Sequence, residues 1–483
     1  MSEFSEKCKK YIQRSDTNVY QIAKKSGLDR TTLQKMVQGK RLPGKQFLET
    51  MCQYLIMNNT EKEELMRLYY IEKIGKEEYE CRQEVHSFLT DFLELRRDLE
   101  EINYTKHIQF ESGSKSVRGG NINCILLDTD VRDAVQYVIA RAFAECEKVN
   151  IYMDMFEDVF WIMKQVIQAE RSKKKEVYFR QFVKFGRTDH VCALENIKMM
   201  RMIIPFAFAL RNFYEVYYCY GKSASLDMTF SLFPHYLITE KNVLLLAEDG
   251  RSGILLEQEE LSRAYIRELE RLKKYYQKLF TYAGEEGLVA SHFMGSLRPE
   301  QFVFSYETTP CVSEMIVPIM KMGVLENNSM VSDYMGMHTW MEPYLNCKMI
   351  YGLGGVEAFI RTGCLPELYG KYVPPVPMEI RQIMLKGYVD TMSERNNGYL
   401  LKGARGVMQS GLNVELFEPN KIVIFSVEKD FPLGIIIIEE PGLFRVFLDY
   451  FEYLIEEEKV YSPEESVVKF GDICKEILNS VMM

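Results

Sequence analysis

The chain of 483 residues has little of what metal centres, disulfide scaffolds and membrane spans are built from. Its six histidines are scattered, and its eleven cysteines include no Cys-x-x-Cys pair. Zinc-ligand spacing is therefore missing, and no metal site is assigned. Free, structural thiols in a reducing cytoplasm are the expectation. No apolar run approaches the roughly 18 residues of a spanning helix, and stretches such as 202–210 are short or broken. The opening MSEFSEKCKK is too polar for a secretory signal. A cytoplasmic protein with no membrane partner is expected. The chain also lacks a P-loop, a nucleophile elbow, a His-Glu-x-x-His helix and a Ser/His/Asp order. No catalytic residue and no cofactor is assigned, and no enzyme is expected.

What is present is ordinary globular composition, 47% hydrophobic and 27% charged, with an uneven charge. The net charge is −9, yet residues 1–60 hold 11 Lys and Arg against 5 acids, which leaves −15 on the remainder. A basic head on an acidic body suits contact with a polyanion through one end. The length allows two or three domains.

The most informative stretch is NVYQIAKKSGLDRTTLQKMVQGKRLP, residues 18–43. A helix from Val19 to Lys25 meets Ser26-Gly27-Leu28, and Asp29 opens a second helix reaching Gln38. Gly27 tolerates the positive φ of a tight interhelical turn, and Asp29 can accept from the next helix's free N–H groups. Ile22, Ala23, Leu28, Leu33 and Val37 are spaced to pack two crossed helices. The other face carries donors and cations, the layout of a helix-turn-helix reader of duplex DNA.

This segment resembles the lambda-repressor-like (Xre/Cro) helix-turn-helix family, whose run ends in Gly, basic residues and Pro, as Gly39-Lys40-Arg41-Leu42-Pro43 does. Val19 stands where that family often has Gln. The resemblance covers about the first 70 residues. It implies a bacterial-type, sequence-specific transcriptional regulator whose second helix enters the major groove. Arg30, Thr31, Thr32, Gln34, Lys35 and Gln38 would face base edges or flanking phosphates, with Lys24, Lys25, Lys40 and Arg41 on phosphates.

Helices are expected over 4–14, 45–57 and 61–99. Within the last, Val85, Phe88, Phe92, Leu95 and Leu99 recur at steps of three and four, the seam of a coiled coil. We expect a homodimer through this seam, because one helix-turn-helix unit alone binds weakly. A Gly/Ser-rich linker follows at 111–120. Beyond it, helical stretches (131–146, 159–172) alternate with β-like runs (149–153, 213–220), indicating an α/β body.

That body contains a repeat. HYLITEKNVLLL (235–246) parallels VELFEPNKIVIF (414–425), ILLE (254–257) parallels IIIE (436–439), and an amphipathic helix follows each. The offset is 179 before the intervening turn and 182 after it. Two strand hairpins each followed by a helix resemble the end of each half of the phospholipase D-like fold. That family's His-x-Lys-x-x-x-x-Asp motif would place its His at His235, but Leu237 stands for the Lys and Asn242 for the Asp. The resemblance therefore implies a degenerate, non-catalytic version used for binding.

Three further features read as structural. Gly352-Leu353-Gly354-Gly355 has no following Lys-Ser/Thr and suits a loop or the start of a helix. The aromatic run 213–220 suits sheet core and rim. Glu439-Glu440-Pro441 suits a helix N-terminus.

The fold class expected is thus α+β multidomain: an all-α helix-turn-helix domain (1–70), a connecting and dimerisation helix with linker (71–110), and a duplicated α/β body (111–283 and 284–483). Its function is a DNA-binding transcriptional regulator with a large effector-sensing or interaction body. The alternatives are a phosphodiesterase-like enzyme targeted to DNA and a protein-interaction scaffold.

Overall fold

The computed structural model describes residues 2–15, 17–100, 118–119, 122–125, 128–154, 159–173, 175–186, 190–221, 232–284, 298–307, 347–364, 375–403, 412–426 and 434–482. The protein is an α+β multidomain chain. It divides into two compact units, Met1–Gln83 and Glu84–Met483.

The first unit is all helix: α1 (Glu3–Arg14), α2 (Val19–Ser26), α3 (Arg30–Val37), α4 (Lys45–Tyr54), α5 (Asn59–Ile74) and the opening turns of α6 (Lys76–Glu100). Phe4, Cys8, Ile22, Leu33, Met36, Leu48, Met51 and Leu65 form its core. The unit reaches beyond residue 70 because α5 contributes Leu65, Leu68, Tyr69 and Tyr70 to that core. It is also tied to α1. Glu64 accepts from Lys7 Nζ at 2.6 Å and from the Tyr11 hydroxyl at 2.8 Å, and Arg14 pairs with Glu61. Asn58 and Glu61 close a reciprocal capping box at the start of α5. The single helix expected over 61–99 is two helices, because Gly75 takes a φ of +96°, which no helix interior accommodates.

In the second unit the remainder of α6 is packed away. Of the five seam residues, Val85, Phe88, Phe92 and Leu99 are buried and Leu95 is half-buried. Phe88 meets Phe447 edge-on at 5.8 Å and Phe92 meets Phe208 at 5.5 Å. Arg96, 1% exposed, donates to the Ser426 hydroxyl and lies 5.3 Å over the Phe208 ring. Arg201 anchors the helix outside this seam, to Glu84 at 3.1 Å and Asp91 at 2.7 Å. The expected coiled-coil seam is therefore satisfied within one chain. An apolar stripe needs a partner surface, and the body supplies it.

The body holds two mixed sheets of one design. The first comprises β1 (Arg118–Gly119), β2 (Ile122–Ile125), β3 (Lys148–Met153), β4 (Glu176–Phe185), β5 (Tyr214–Tyr220), β6 (His235–Ile238), β7 (Val243–Leu246), β8 (Gly253–Leu256) and β9 (Gln277–Lys278). Its order is β1-β2-β8-β7-β6-β3-β4-β5-β9. The second comprises β10 (Phe280–Gly284), β11 (Phe302–Glu307), β12 (Lys348–Tyr351), β13 (Gly398–Leu400), β14 (Leu412–Phe417), β15 (Lys421–Ser426) and β16 (Gly434–Glu439), ordered β10-β16-β15-β14-β11-β12-β13. Without the short edge strands β1 and β9 the two orders coincide. The directions coincide too. β3, β4 and β5 run parallel, as do β11, β12 and β13, and every other pairing in both sheets is antiparallel. The body is duplicated.

The repeat seen in sequence is β6-β7-β8 followed by α10 (Glu259–Leu272), matched by β14-β15-β16 followed by a helix over Pro441–Glu456. The pair Val243↔Leu256 maps onto Ile422↔Ile438 under the offsets 179 and 182. The preceding hairpin corrects the first offset. Ile238 faces Val243 across four residues, whereas Phe417 faces Lys421 across three. The offset in that strand is 178, and a one-residue change of register exchanges the two faces of a strand.

Helix α7 (Asp128–Glu145) leads from β2 to β3, and α8 (Val159–Lys173) and α9 (His190–Leu210) join the parallel strands β3, β4 and β5. In the second half follow α11 (Gly354–Thr362), α12 (Met378–Arg395), α13 (Pro441–Glu456) and α14 (Pro463–Met482). Tyr351, Phe359, Tyr388 and Phe470 pack between the second sheet and these helices. The glycine cluster at 352–355 opens α11. Glu440 caps α13, accepting from the Leu443 N–H at 2.6 Å, with Pro441 at its first position. Of the expected linker 111–120, Arg118 and Gly119 form the edge strand β1; its other residues lie outside the described ones. Cys8, Cys52, Cys81, Cys146, Cys347 and Cys474 are buried, and Cys219 and Cys364 are partly exposed. Burial raises the Cys52 thiol to about 11 and the Cys474 thiol to about 12. None of the described helices is long and apolar enough to cross a membrane.

Candidate functional site

The helix-turn-helix geometry is set by three capping events. The Asn18 side chain accepts from the Gln21 N–H at 3.0 Å and starts α2. Gly27, at φ +74°, ends it by returning its N–H to the Ala23 carbonyl at 3.1 Å, a left-handed cap. Two residues on, Asp29 accepts from the Thr32 N–H at 2.7 Å and starts α3. The hydrogen bonds from Thr32 hold the Asp29 carboxyl below its usual range. α3 then closes in a Schellman turn. The Lys40 N–H reaches the Lys35 carbonyl at 2.8 Å, and the N–H of Gly39, at φ +71°, reaches Met36 at 3.0 Å.

These caps fix which side of α3 faces out. Leu33 and Met36 are fully buried and Val37 partly so. Arg30, Thr31, Gln34, Lys35 and Gln38 are exposed, and Thr32 is half-buried beside the cap. The spacing of the exposed set places it on one continuous face. Lys40 and Arg41 are exposed just past the Schellman turn, and Lys24 and Lys25 are exposed in the last turn of α2.

Sequence reasoning missed Tyr20. It is 55% exposed, and the Arg30 guanidinium lies 5.4 Å from its ring centroid. Such stacking orients a long cationic side chain before any ligand arrives. The available signal was a large aromatic at a helix position outside the apolar spacing of Val19, Ile22 and Ala23.

A second polar constellation sits where β3 meets β6. His235 Nδ1 lies 2.7 Å from Asp154 Oδ2, and Asp154 Oδ1 accepts from the Tyr236 N–H at 3.1 Å. The hydrogen bond to Asp154 raises the His235 pKa above the usual imidazole value. Leu237, where a phosphate-holding Lys would stand, is fully buried. The side-chain atoms of buried Asn242 have no hydrogen-bond partner among the described residues. The dyad thus staples two strands, and no cation two positions on completes it.

No family model matches the chain, and no curated protein matches it. Among solved structures it is similar to TrmBL2, an archaeal chromatin protein described as showing a novel mode of DNA binding. That match has 13% identity over 52% of this chain and 84% of the other, with a TM-score of 0.23. It is also similar to a phosphatidylserine synthase of Haemophilus influenzae Rd KW20, with 9% identity over 82% of this chain and 100% of the other, and a TM-score of 0.21. Likeness at these scores carries no functional argument.

Proposed function

We propose that the protein is a sequence-specific regulator that reads duplex DNA through α3, with the body as an effector-sensing or interaction module. The observation that carries this reading is the outward face of α3. Arg30 and Gln34 are side chains able to pair bidentately with guanine and adenine edges, each worth about 1–3 kcal/mol of discrimination. Thr31, Lys35 and Gln38 extend that face, and Lys24, Lys25, Lys40 and Arg41 flank it as phosphate contacts that add affinity with little sequence preference. The surplus of basic residues in 1–60 supports the same assignment.

Two copies on half-sites roughly 10 base pairs apart would double the contacts. A dimer of this kind must use a surface other than the Val85–Leu99 seam, which the body occupies. Recovery of bound genomic fragments with the purified protein tests the proposal. Enrichment of a shared sequence, lost with Arg30→Ala and Gln34→Ala together, is the expected result; uniform recovery by both proteins would overturn it.

The His235–Asp154 pair favours a second reading, phosphodiester chemistry in the body. We prefer the non-catalytic reading, because a phosphate needs a cation beside the imidazole and Leu237 supplies none. Hydrolysis of bis-p-nitrophenyl phosphate that disappears in His235→Ala would reinstate the enzyme.

A further inference from the structure

We propose that Tyr20 is a positioning residue of the DNA-reading face, bracing Arg30 so that the protein demands guanine at one base position. The inference rests on the proposed reading of duplex DNA through α3 and adds the residue that sets its selectivity. Tyr20 lies in the first turn of α2, and Arg30 is the first residue of α3. The helical core takes up Val19, Ile22 and Ala23 around Tyr20, but not Tyr20 itself. Among the described residues, the Tyr20 side chain has no hydrogen-bonding, ionic or ring partner besides Arg30. The Arg30 side chain likewise has none besides Tyr20. Glu61 is engaged by Arg14, and Glu64 by Lys7 and Tyr11. The Asp29 carboxyl, next in the chain, accepts from the Thr32 N–H at 2.7 Å. The first turn of α3 holds no acid, and the positive end of the helix dipole repels a guanidinium. The ring is what holds the arginine at that corner.

The kind of contact decides what the arginine can still do. Guanine is read with the edge of the guanidinium, whose paired N–H groups reach O6 and N7. A carboxylate partner would occupy that same edge. A ring stacks on the flat face instead and leaves the donors in the plane free. With the Arg30 guanidinium 5.4 Å from the Tyr20 ring centroid, the side chain is braced while its reading edge is unspent. Bracing also removes part of the rotamer freedom that a long side chain gives up on binding. The caps at Gly27 and Asp29 fix where one helix ends and the next begins, so brace and arginine keep their spacing. Both residues are exposed. A cation–π pair in water adds little to folding, which leaves orientation as its use.

The test takes the full-length protein through selection from a randomised duplex library. Competition binding then sets the selected duplex against each of its single-base-pair variants. Wild type should favour guanine at one position to which Arg30→Ala is indifferent. Tyr20→Ala should lower that preference about two- to fivefold, the worth of an exposed cation–π contact. Selectivity at the other positions and the melting temperature should stay unchanged. Tyr20→Phe should keep wild-type selectivity, since the ring and not the hydroxyl is the brace. In the Arg30→Ala background, Tyr20→Ala should change nothing further, a coupling that general loosening of α2 would not produce. Full guanine preference in Tyr20→Ala, Tyr20→Phe behaving as Tyr20→Ala, or an equal loss at every position would each overturn the assignment. A wild type that selects a sequence with no Arg30-dependent guanine overturns it and spares the DNA reading. A wild type that selects no sequence sinks both.

Discussion

Replacing Phe92 by alanine separates two accounts of the stripe on α6. Phe92 is 0% exposed, meets Phe88 at 5.7 Å and Phe208 at 5.5 Å, and sits one turn before the buried Arg96. Truncating a ring in such a packed site costs about 3–5 kcal/mol, from lost transfer energy and the cavity left behind. The unit it stabilises has about 400 residues, whose unfolding entropy is near 0.8 kcal/mol/K. The body's melting temperature should therefore fall by roughly 4–6 °C. Differential scanning calorimetry at two protein concentrations tenfold apart measures it. If the stripe packs within the chain, wild type and Phe92→Ala melt at temperatures that dilution does not move. A stripe that instead pairs two chains ties stability to concentration. A midpoint that falls on dilution in the wild type, with Phe92→Ala splitting dimers at unchanged body stability, would refute the intramolecular packing.

Other outcomes follow from the same geometry. Gly27→Ala, at φ +74° with open space around a new Cβ, should cost about 1–2 kcal/mol through the backbone alone, read from urea unfolding of the first unit. Lys40→Ala and Arg41→Ala should each lower the slope of log affinity against log salt by about one, with the preferred sequence unchanged; an unaltered slope removes them from the phosphate contacts. The His235 imidazole, titrated by NMR, should change charge above its ordinary value near 6.5. With the folded pKa raised, the stabilisation from the pair is present below that value, fades as pH climbs through the folded His235 pKa, and is lost again at lower pH where Asp154, its own pKa raised by burial, takes up a proton. Asp154→Asn should bring the titration down, since burial alone favours the neutral ring. No change on that substitution would mean that Asp154 is not the cause.

How much of this was legible in the sequence depends on how local each instruction is. Gly27, Asp29 and Gly39 act on the residues beside them, so the bounds of α2 and α3 fall within a residue or so of the expected ones. The paired hairpins were visible for the same reason, each turn joining neighbours in the chain. Their one-residue difference was not, because Glu240 and Lys241 against Pro419 and Asn420 give no side-chain sign of which turn is shorter. The stripe on α6 showed which face is apolar. Periodicity is blind to what covers that face, and Phe208 and Phe447 lie more than a hundred residues away. Distance also hid the parallel order of β3, β4 and β5, and the pairing of His235 with Asp154 across 81 positions. Tyr20 was passed over because reading for apolar spacing ignores an aromatic that faces water.

The distribution of thiols gives the molecule a built-in gauge of its own opening. Cys8 and Cys52 are sealed in the helical head, Cys146 beside the first sheet, and Cys347 and Cys474 in the core under the second. A brief pulse of alkylating reagent followed by peptide mass spectrometry would therefore tag whichever compartment loosens first. Half-shielded Cys219 and Cys364 mark the baseline against which the sealed positions are timed.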